Sequence, residues 1–526
     1  MPAILMKLRR FSWLLALLAG GGTAFALPPI GFLPVILLFS ALLALIRRAR
    51  SPWGAFLVGW SFGFGFYLSG LYWVAIAFFV EGEKFGPLAI PAVVLLTATM
   101  GAIVGLATAV THKCRLAVPE ADAAVLAVAW TLSELVRGNP GLQFPWNPMA
   151  IVWFDWPAMM QLQAWIGTAG LSFLTVFLAA LPIGLIERRR GARWVAPVVA
   201  IVALAALWTA GSWRLDQLPL ADAPGTTLRL VQPSIPQEEK MQSELTRQNF
   251  ERHLQMSGGA GGSEADIVIW AESSVPYAMQ RYPEVGEAIA RATPGDGWVV
   301  VGANYFDDQG TSPIAHNSLW VVDPAGAVAD RYDKVDLVPF GEFLPFRSVL
   351  GRLGLQGVAA GNVDFRSGPG RRTLELDGLP PFSPLICYEG VYSGGATDSS
   401  GRAEWLLNIT NDGWFGDSLG PYQHLAMARA RAIEEGLPLV RTANNGISVV
   451  TDAYGRVLSS LALNEVGTIE AQLPARLAIR PFYVEHQWII VVLLVGAVLL
   501  AVTVNFLLVA RPQVPQGVGT RARDLT

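Results

Sequence analysis

Apolar residues dominate the first 214 positions of the chain, in runs that short polar or basic segments separate. Seven of these runs approach the ~20 residues that an α-helix needs to cross the hydrocarbon core of a membrane, and an eighth lies near the end of the chain. The fifth run is short and contains Glu134. We therefore predict a polytopic α-helical membrane protein of about eight spans, at residues 11–27, 30–46, 54–80, 88–111, 121–136, 160–186, 194–212 and 487–510.

Basic residues cluster in every second loop of this pattern, before span 1 and after spans 2, 4, 6 and 8. Because loops rich in Lys and Arg stay in the cytoplasm, we predict that both termini are cytoplasmic and that the segment between spans 7 and 8 lies outside. A cleavable signal peptide ending near Ala24-Phe25-Ala26 is an alternative for span 1, and it would leave the remaining topology unchanged. The basic residues of these clusters are Lys7, Arg9, Arg10, Arg47, Arg48, Arg50, Lys113, Arg115, Arg188, Arg189, Arg190, Arg193, Arg511, Arg521 and Arg523, and the exceptions in the alternate loops are Lys84, Arg137 and Arg214.

After a polar, proline-bearing linker at residues 215–224, the pattern changes to short β-like runs between helical or turn-rich stretches. Leu425–Glu435 is rich in alanine and predicts a helix. Strands that alternate with helical stretches indicate a layered α/β domain, which we place at residues 225–482, with a C-terminal tail at 511–526. The β-like runs are Thr227–Val231, Asp266–Trp270, Trp298–Ala303, Ser318–Val322, Phe382–Tyr388, Glu404–Ile409, Leu437–Thr442 and Ile447–Thr451.

Two other segments have no clear periodicity. Residues 342–380 contain glycines and prolines and are a candidate lid. Gly138–Met159, between spans 5 and 6, is rich in Trp, Phe and Pro. It is either an interfacial loop anchored by aromatic rings or a wall of a lipid-binding cleft beneath the outer domain.

Composition agrees with a membrane protein. The 526 residues are 52% hydrophobic and 15% charged, with a mean hydropathy of +0.42, whereas soluble domains carry ~25% charged residues. The net charge of −3 gives no support for a nucleic-acid partner. Two cysteines, Cys114 and Cys387, lie in different regions and offer no disulfide framework.

Three reactive side chains each follow or adjoin a β-like run. Cys387 ends the run from Phe382, Glu272 follows Asp266–Trp270, and Lys334 lies next to a β-like run before a Pro/Gly turn. Each has a plain structural interpretation: a buried cysteine that acts as a small hydrophobe, a solvated carboxylate and a surface ammonium. Together they supply a thiol, a general base and a cation.

Thiol chemistry requires these residue types. A thiol of pKa ~8.5 is a poor nucleophile until a base removes its proton or a cation stabilises the thiolate. A tetrahedral intermediate also needs donors aimed at its oxyanion, which a lysine and a backbone N–H can supply. No histidine is placed for a Cys–His pair, and we interpret His316 and His424 as structural.

These motifs resemble those of the carbon–nitrogen hydrolase (nitrilase) superfamily. The resemblance implies an αββα sandwich in which Glu272 is the general base, Lys334 the oxyanion stabiliser and Cys387 the nucleophile. The motifs that carry it are Trp270-Ala271-Glu272-Ser273, Lys334 with Pro339-Phe340-Gly341-Glu342, Cys387-Tyr388-Glu389, Asn408–Phe415 and Arg429–Glu434.

The resemblance assigns supporting parts to three more residues. Glu342 and Glu389 would be supporting or substrate-gating carboxylates, and Tyr388 would supply a backbone N–H to the oxyanion hole. The family commonly has Gln-Xaa-Asn-Ile-Pro-Gln with a Trp shortly after, whereas this chain has Ser234 in the motif and Met241 near the Trp position. With Met241 in place of that Trp, the loop has no aromatic side chain at this position to contact a substrate.

With membrane spans on both sides, the whole chain resembles the membrane-embedded branch of the superfamily that acylates lipoproteins in the bacterial inner membrane. The expected reaction is a ping-pong transfer in which Cys387 takes an acyl group from a glycerophospholipid and passes it to a lipoprotein. The acceptor is the α-amine of an N-terminal diacylglyceryl-cysteine. The resemblance implies a lipid bilayer as surroundings, the catalytic domain on the periplasmic side, and no metal or organic cofactor.

Two other functions share parts of this pattern. A membrane-tethered amidase or nitrilase would use the same three residues with water as the second nucleophile. A non-enzymatic membrane sensor would carry a degenerate nitrilase-like domain. A thioester that survives in the absence of an amine acceptor separates acyl transfer from hydrolysis. Failure of a thiol-reactive probe to label Cys387 in the folded protein would favour the sensor.

Overall fold

The apolar runs of the amino-terminal part fold into helices. The computed structural model describes residues 11–139, 142–187, 192–217, 223, 225–258, 264–307, 314–345 and 364–509. Within these ranges the longer α-helices are α1 (Ser12–Thr23), α2 (Leu38–Arg48), α3 (Pro52–Leu71), α4 (Ala89–Lys113), α5 (Pro119–Gly138), α6 (Gln163–Ala180), α7 (Val195–Gln217), α8 (Thr246–Ser257), α9 (Pro283–Ala292), α10 (Gly420–Glu435) and α11 (Ile489–Val509).

Shorter helical pieces connect these elements. Four- and five-residue α-helices lie at Gly82–Phe85, Pro157–Met160, Ile183–Glu187, Gln237–Lys240 and Phe482–Glu485. Segments of 3-10 helix lie at Ala24–Ala26, Leu33–Leu37, Tyr72–Phe79, Gly86–Leu88, Met149–Trp153, Ala192–Trp194, Ser243–Leu245, Cys387–Val391 and Asp412–Phe415.

Five helical segments among the described residues are long and apolar enough to cross a membrane: Pro52–Phe79, Gly82–Lys113, Gln163–Glu187, Val195–Asp216 and Ile489–Leu507. Ser12–Ala26 is apolar but shorter. The remaining two predicted spans, 30–46 and 121–136, overlap α2, which has 11 residues, and α5, which contains several charged side chains. A set of apolar helices is therefore confirmed, while the number of spans and their orientation stay predictions. Residues 1–10, Arg188–Arg190 and the tail lie outside the described residues.

Close packing between α1 and α3 depends on glycine. A Cβ atom at Gly20 would lie 1.9 Å from the carbonyl oxygen of Phe62, and one at Gly65 would lie 2.2 Å from that of Leu17. Small residues at helix contacts let backbones approach where no hydrophobic effect drives association. These two positions therefore require glycine.

Two sheets form the core of the second half of the described chain. The strands are β1 (Thr227–Gln232), β2 (Ile267–Trp270), β3 (Trp298–Asp307), β4 (Ile314–Val322), β5 (Val328–Asp333), β6 (Phe382–Ile386), β7 (Trp405–Thr410), β8 (Leu439–Ala443), β9 (Ser448–Thr451), β10 (Val457–Leu461) and β11 (Gly467–Gln472). The six-stranded sheet has the order β11-β1-β2-β3-β4-β5, and the five-stranded sheet has the order β10-β9-β8-β7-β6. Neighbours β1, β2 and β3 are parallel, as are β6, β7 and β8.

The sheets pack face to face, because inward-facing residues of both, such as Ile269 and Leu407, belong to one apolar cluster. Phe250 of α8 and Ile289 of α9 cover the outer face of the six-stranded sheet. Ala428 of α10 covers the outer face of the other. The layers are helix, sheet, sheet and helix, which confirms the predicted αββα sandwich.

The sandwich and the helical bundle share one apolar cluster. Tyr388 and Ile433 from the sandwich belong to the same cluster as Trp146 and other buried residues of the amino-terminal half. We call this cluster the shared core. A buried polar contact accompanies it: Thr168 of α6 donates from its amide (2.7 Å) and its hydroxyl (2.8 Å) to Glu434 Oε1. The sandwich is thus packed directly on the bundle.

Each predicted β-like run overlaps a strand, and α10 contains the predicted helix. The apolar run from Phe382 leaves the sheet at Ile386, so Cys387 and Tyr388 lie in a 3-10 turn rather than in the strand. Strands β5, β10 and β11 were not predicted. Helix α7 continues to Gln217, into the predicted linker, whose other positions apart from 223 lie outside the described residues. Residues 346–363 of the predicted lid also lie outside them.

Candidate active site

The structure brings Glu272, Lys334 and Cys387 together. Each follows the carboxyl end of a strand, and each is buried, with 6%, 1% and 7% of its surface exposed. Lys334 Nζ lies 3.4 Å from Glu272 Oε1, and the charges of both residues act on the Cys387 thiol. A carboxylate, an ammonium and a thiol therefore share one buried site.

Cys387 has a strained backbone. Its φ of +49° lies in the left-handed region, which non-glycine residues adopt only at a cost of ~1–3 kcal/mol. It begins the 3-10 turn Cys387–Val391, directly after β6. The first N–H groups of a helical turn have no partner within that turn, so this geometry presents backbone donors beside the sulfur.

Burial and charge set the protonation of the site. Burial, followed by the Glu272 carboxylate, raises the pKa of the Cys387 thiol, while Lys334 acts in the opposite direction. Burial disfavours the charged form of Lys334, but the carboxylates of Glu342 and Glu272 outweigh it and raise the pKa of this ammonium. The site thus holds a permanent cation beside a thiol that needs a base to ionise.

Both oxygens of Glu272 are held by hydrogen bonds. Asn317 Nδ2 donates to Oε1 at 2.7 Å, and the Asn411 amide donates to Oε2 at 2.9 Å. Sequence reasoning missed Asn317, although a buried amide in the middle of an apolar strand is a signal for a polar site. These contacts fix the carboxylate in one orientation.

Glu342 supports the lysine. Its Oε1 lies 2.9 Å from Lys334 Nζ and accepts from Asn317 Nδ2 at 2.8 Å, and its Oε2 accepts from the Val338 amide at 2.8 Å. The ammonium is therefore bracketed by Glu272 and Glu342, which fix its position. No substrate contact is needed to explain where Glu342 lies.

Glu389 connects the segment after Lys334 to the end of β6, which directly precedes Cys387. Its Oε2 accepts from the Ile386 amide at 2.6 Å, at the end of β6. Its Oε1 accepts from the Val335 amide at 2.7 Å and from the Tyr332 hydroxyl at 3.0 Å, and lies 3.1 Å from Arg371. This carboxylate is fully buried, and donors from both segments surround it.

Tyr388 connects the turn Cys387–Val391 to the aromatic segment between α5 and α6. Its hydroxyl donates to the Gln143 carbonyl at 2.7 Å, and its ring stacks on Trp146 with centroids 6.0 Å apart. The segment Gly138–Met159 therefore packs against the turn that begins at Cys387. Residues 140 and 141 of it lie outside the described residues.

The β1 loop contributes a second cation that sequence reasoning missed. Lys240 Nζ lies 3.5 Å from the carbonyl oxygen of Glu272, and burial lowers its pKa to about 8 against the opposing pull of Glu272. Next to it, Met241 is 45% exposed. The position where the family commonly has a Trp thus presents an apolar side chain to the surroundings.

The two histidines have different environments. His316 lies in β4 beside the ring of Tyr305, and it contacts none of the three reactive side chains among the contacts described. His424 is fully buried in α10, and its Nε2 lies 3.1 Å from the carbonyl oxygen of Cys387. His424 therefore contacts the backbone of Cys387.

The αββα sandwich, with a cysteine, a lysine and a glutamate at strand ends, defines a carbon–nitrogen hydrolase domain. A family profile described as carbon-nitrogen hydrolase matches residues 227–479, and one described as apolipoprotein N-acyltransferase N-terminal domain matches residues 19–181. The chain belongs to the apolipoprotein N-acyltransferase family, as its similarity to curated relatives shows.

Three of these relatives illustrate the extent of the match, and each is named apolipoprotein N-acyltransferase. The protein of Rhodopseudomonas palustris is 35% identical over 482 residues, covering 88% of this chain and 90% of the relative. That of Sinorhizobium fredii is 38% identical over 477 residues, covering 88% and 89%. That of Bradyrhizobium diazoefficiens is 38% identical over 482 residues, again covering 88% and 89%. The similarity thus spans both the helical bundle and the sandwich.

Proposed function

We propose that this chain transfers a fatty acyl group from a glycerophospholipid to the N-terminal α-amine of a diacylglyceryl lipoprotein, through a thioester on Cys387. The observation that carries the proposal is the convergence of Glu272, Lys334 and Cys387 in a buried site whose nucleophile turn packs on apolar helices. Because both substrates are lipids, contact with the bundle explains how they reach the thiol.

In the first half-reaction Glu272 accepts the thiol proton and the Cys387 sulfur attacks the ester carbonyl of the phospholipid. Negative charge develops on the carbonyl oxygen, and Lys334 with the Tyr388 amide would stabilise it. Collapse breaks the carbon–oxygen bond of the ester. The departing lysophospholipid oxygen takes the proton from Glu272, which leaves an acyl thioester and a neutral alcohol.

In the second half-reaction the neutral α-amine of the lipoprotein attacks the thioester carbonyl. Glu272 accepts a proton from the attacking nitrogen, and the same donors stabilise the second oxyanion. Collapse expels the Cys387 sulfur, which recovers its proton from Glu272, and an amide bond has formed. Dividing the exchange into two steps avoids a direct reaction between two lipid-bound groups.

The placement in the cell belongs to the same proposal. We infer about eight spans, cytoplasmic termini and a catalytic sandwich on the periplasmic side of the bacterial inner membrane. The distribution of basic residues between the spans supports this orientation. An acceptor lipoprotein and a donor phospholipid would then both lie in the outer leaflet, level with the site.

Intact-mass measurement tests the proposed reaction. Purified enzyme is mixed with phospholipid while the amine acceptor is withheld. We expect the protein to gain the mass of one fatty acyl group, which hydroxylamine removes and which a peptide with N-terminal diacylglyceryl-cysteine discharges into an acylated peptide. The adduct should be absent in Cys387→Ala and present in Cys114→Ala, a control at the exposed second cysteine. Steady release of free fatty acid without transfer to the peptide would instead show a hydrolase.

A further inference from the structure

The carbonyl oxygen of the nucleophile points into the sandwich, where two side chains bind it. His424 Nε2 lies 3.1 Å from Cys387 O, and Asn408 Nδ2 donates to the same oxygen at 3.4 Å. A carbonyl oxygen only accepts hydrogen bonds, so His424 donates to Cys387 O when its Nε2 carries the proton. The shorter of the two contacts comes from the histidine.

His424 is held firmly from several sides. Its Nδ1 lies 2.9 Å from Asp412 Oδ1 and 3.1 Å from Arg441 Nη2, and Arg441 also donates to Asp412 Oδ2 at 2.8 Å. The rings of Trp146 and Phe415 pack on the imidazole with centroids 5.4 and 5.7 Å away. All three polar residues are fully buried or nearly so. Such a network fixes both the position and the tilt of the ring.

Holding this carbonyl has a geometric consequence for the next amide. In a trans peptide the C=O and the following N–H share one plane and point in opposite directions. When His424 draws Cys387 O into the sandwich, the Tyr388 N–H must therefore point away from the interior. Without His424 this carbonyl would keep only the longer contact from Asn408, at a residue whose φ of +49° is already unfavourable.

We propose that His424 is a positioning residue that aims the Tyr388 N–H at the oxyanion by hydrogen-bonding the carbonyl of Cys387. The proposal rests on the thioester mechanism above and adds to it the group that sets one half of the oxyanion hole. His424 never meets the substrate. It acts through the peptide plane between Cys387 and Tyr388, which distinguishes it from a base for the thiol.

Two reactions of the same sulfur separate this effect from a general disturbance of the site. Acylation by an ester passes through an oxyanion, whereas alkylation by iodoacetamide is a substitution at saturated carbon and forms none. The test uses the full-length enzyme in detergent, in a Cys114→Ala background so that Cys387 is the thiol measured. The acyl donor is a p-nitrophenyl ester, which requires an oxyanion whether or not phospholipid is the natural donor.

We expect His424→Phe, which keeps a ring between Trp146 and Phe415, to lower the acylation rate and leave the alkylation rate unchanged. Removing one oxyanion donor costs ~10²–10³-fold, and a misdirected donor should cost ~10-fold or more. His424→Gln keeps an N–H donor and should restore most of the acylation rate. His253→Phe is the matched control, since this histidine is also buried and its ring lies 4.9 Å from that of Trp270. Both rates should stay at the wild-type level.

Equal losses of acylation and alkylation in His424→Phe would overturn the proposal, and so would a wild-type acylation rate. If His424→Phe shows no cooperative unfolding transition, His424→Leu takes its place under the same criteria. A further outcome is that the wild-type enzyme reacts with the p-nitrophenyl ester but forms no thioester from phospholipid. That result would overturn the proposed lipid donor. The comparison of variants with the p-nitrophenyl ester would still test the function of His424.

Discussion

Replacing Glu389 by Gln gives a sharp test of whether this carboxylate supports the site or acts on substrate. The described partners of its two oxygens are all donors: Tyr332, Val335, Asp336, Ile386 and Arg371. A glutamine amide has one accepting oxygen and one NH2 group, so its nitrogen must face donors in either orientation. At least one donor at the end of β6 or beside Lys334 then loses its acceptor.

The expected cost can be worked from these contacts. Each hydrogen bond to a charged group contributes ~1.5–3 kcal/mol, and removing one partner of a buried ion pair costs ~3–5 kcal/mol. Arg371 keeps Asp336 as a second partner, which limits the loss on its side. We therefore expect Glu389→Gln to lower the free energy of unfolding by ~3–5 kcal/mol. For a sandwich of this size, that corresponds to roughly 6–20 °C in the unfolding temperature.

Thermal unfolding of the purified protein in detergent measures this change, with acyl transfer followed on the same samples. Glu375→Gln is the matched control, because Glu375 forms an ion pair with Arg402 in which both side chains are more than half exposed. Surface pairs contribute ~0–1 kcal/mol, so the control should unfold within about 4 °C of wild type. Loss of acyl transfer in Glu389→Gln with an unfolding temperature like that of the control would refute the supporting function and assign Glu389 to substrate handling.

Three further predictions concern the reactive residues and the topology. Glu272→Gln should slow acylation by ~10²–10⁴-fold. The same change should speed alkylation of Cys387 by iodoacetamide, because the charge of Glu272 raises the pKa of the thiol and its removal leaves more thiolate at a given pH. Slower alkylation would contradict this electrostatic effect. Lys334→Met removes a charge that lowers the same pKa, so alkylation should slow along with a loss of ~10²–10³-fold in acylation, and unchanged rates in both assays would exclude Lys334 from the site chemistry. In a Cys387→Ala protein, a membrane-impermeant maleimide should modify Cys114, which is exposed just after α4, in inverted vesicles and not in right-side-out ones; the reverse pattern would invert the topology.

The sequence predicted the strands whose residues are buried on both faces and left out those that are half exposed. Strands β2 and β6 are fully buried and appear as unbroken apolar runs. In β5 and β10 most residues are at least partly exposed, so their polar side chains hide the pattern. Lys334 directly follows β5. The sequence therefore predicted a β-like run next to Lys334 but did not give the bounds of this strand.

The contacts that orient the site could not be predicted, because they join residues far apart in the chain. Asn317 and Glu272 are 45 positions apart, Val335 and Glu389 are 54 apart, and Gln143 and Tyr388 are 245 apart. Motifs identify the residue types that the chemistry needs. The register between two strands and the docking of one layer on another decide which polar side chains complete the site, and neither leaves a local pattern.

The shared core joins the two halves of this chain, so they are separate in the sequence but not in their packing. One family profile ends at residue 181 and the other begins at residue 227, a division that suggests a hydrolase domain and a separate membrane anchor. Yet Tyr388, one position beyond the nucleophile, is buried among residues of the amino-terminal half. A sandwich excised at 225–482 would expose the surface around Tyr388 that packs on the helices. A change in the packing of the helices would therefore reach the backbone next to Cys387 directly, because Tyr388 and the helices belong to the same buried cluster.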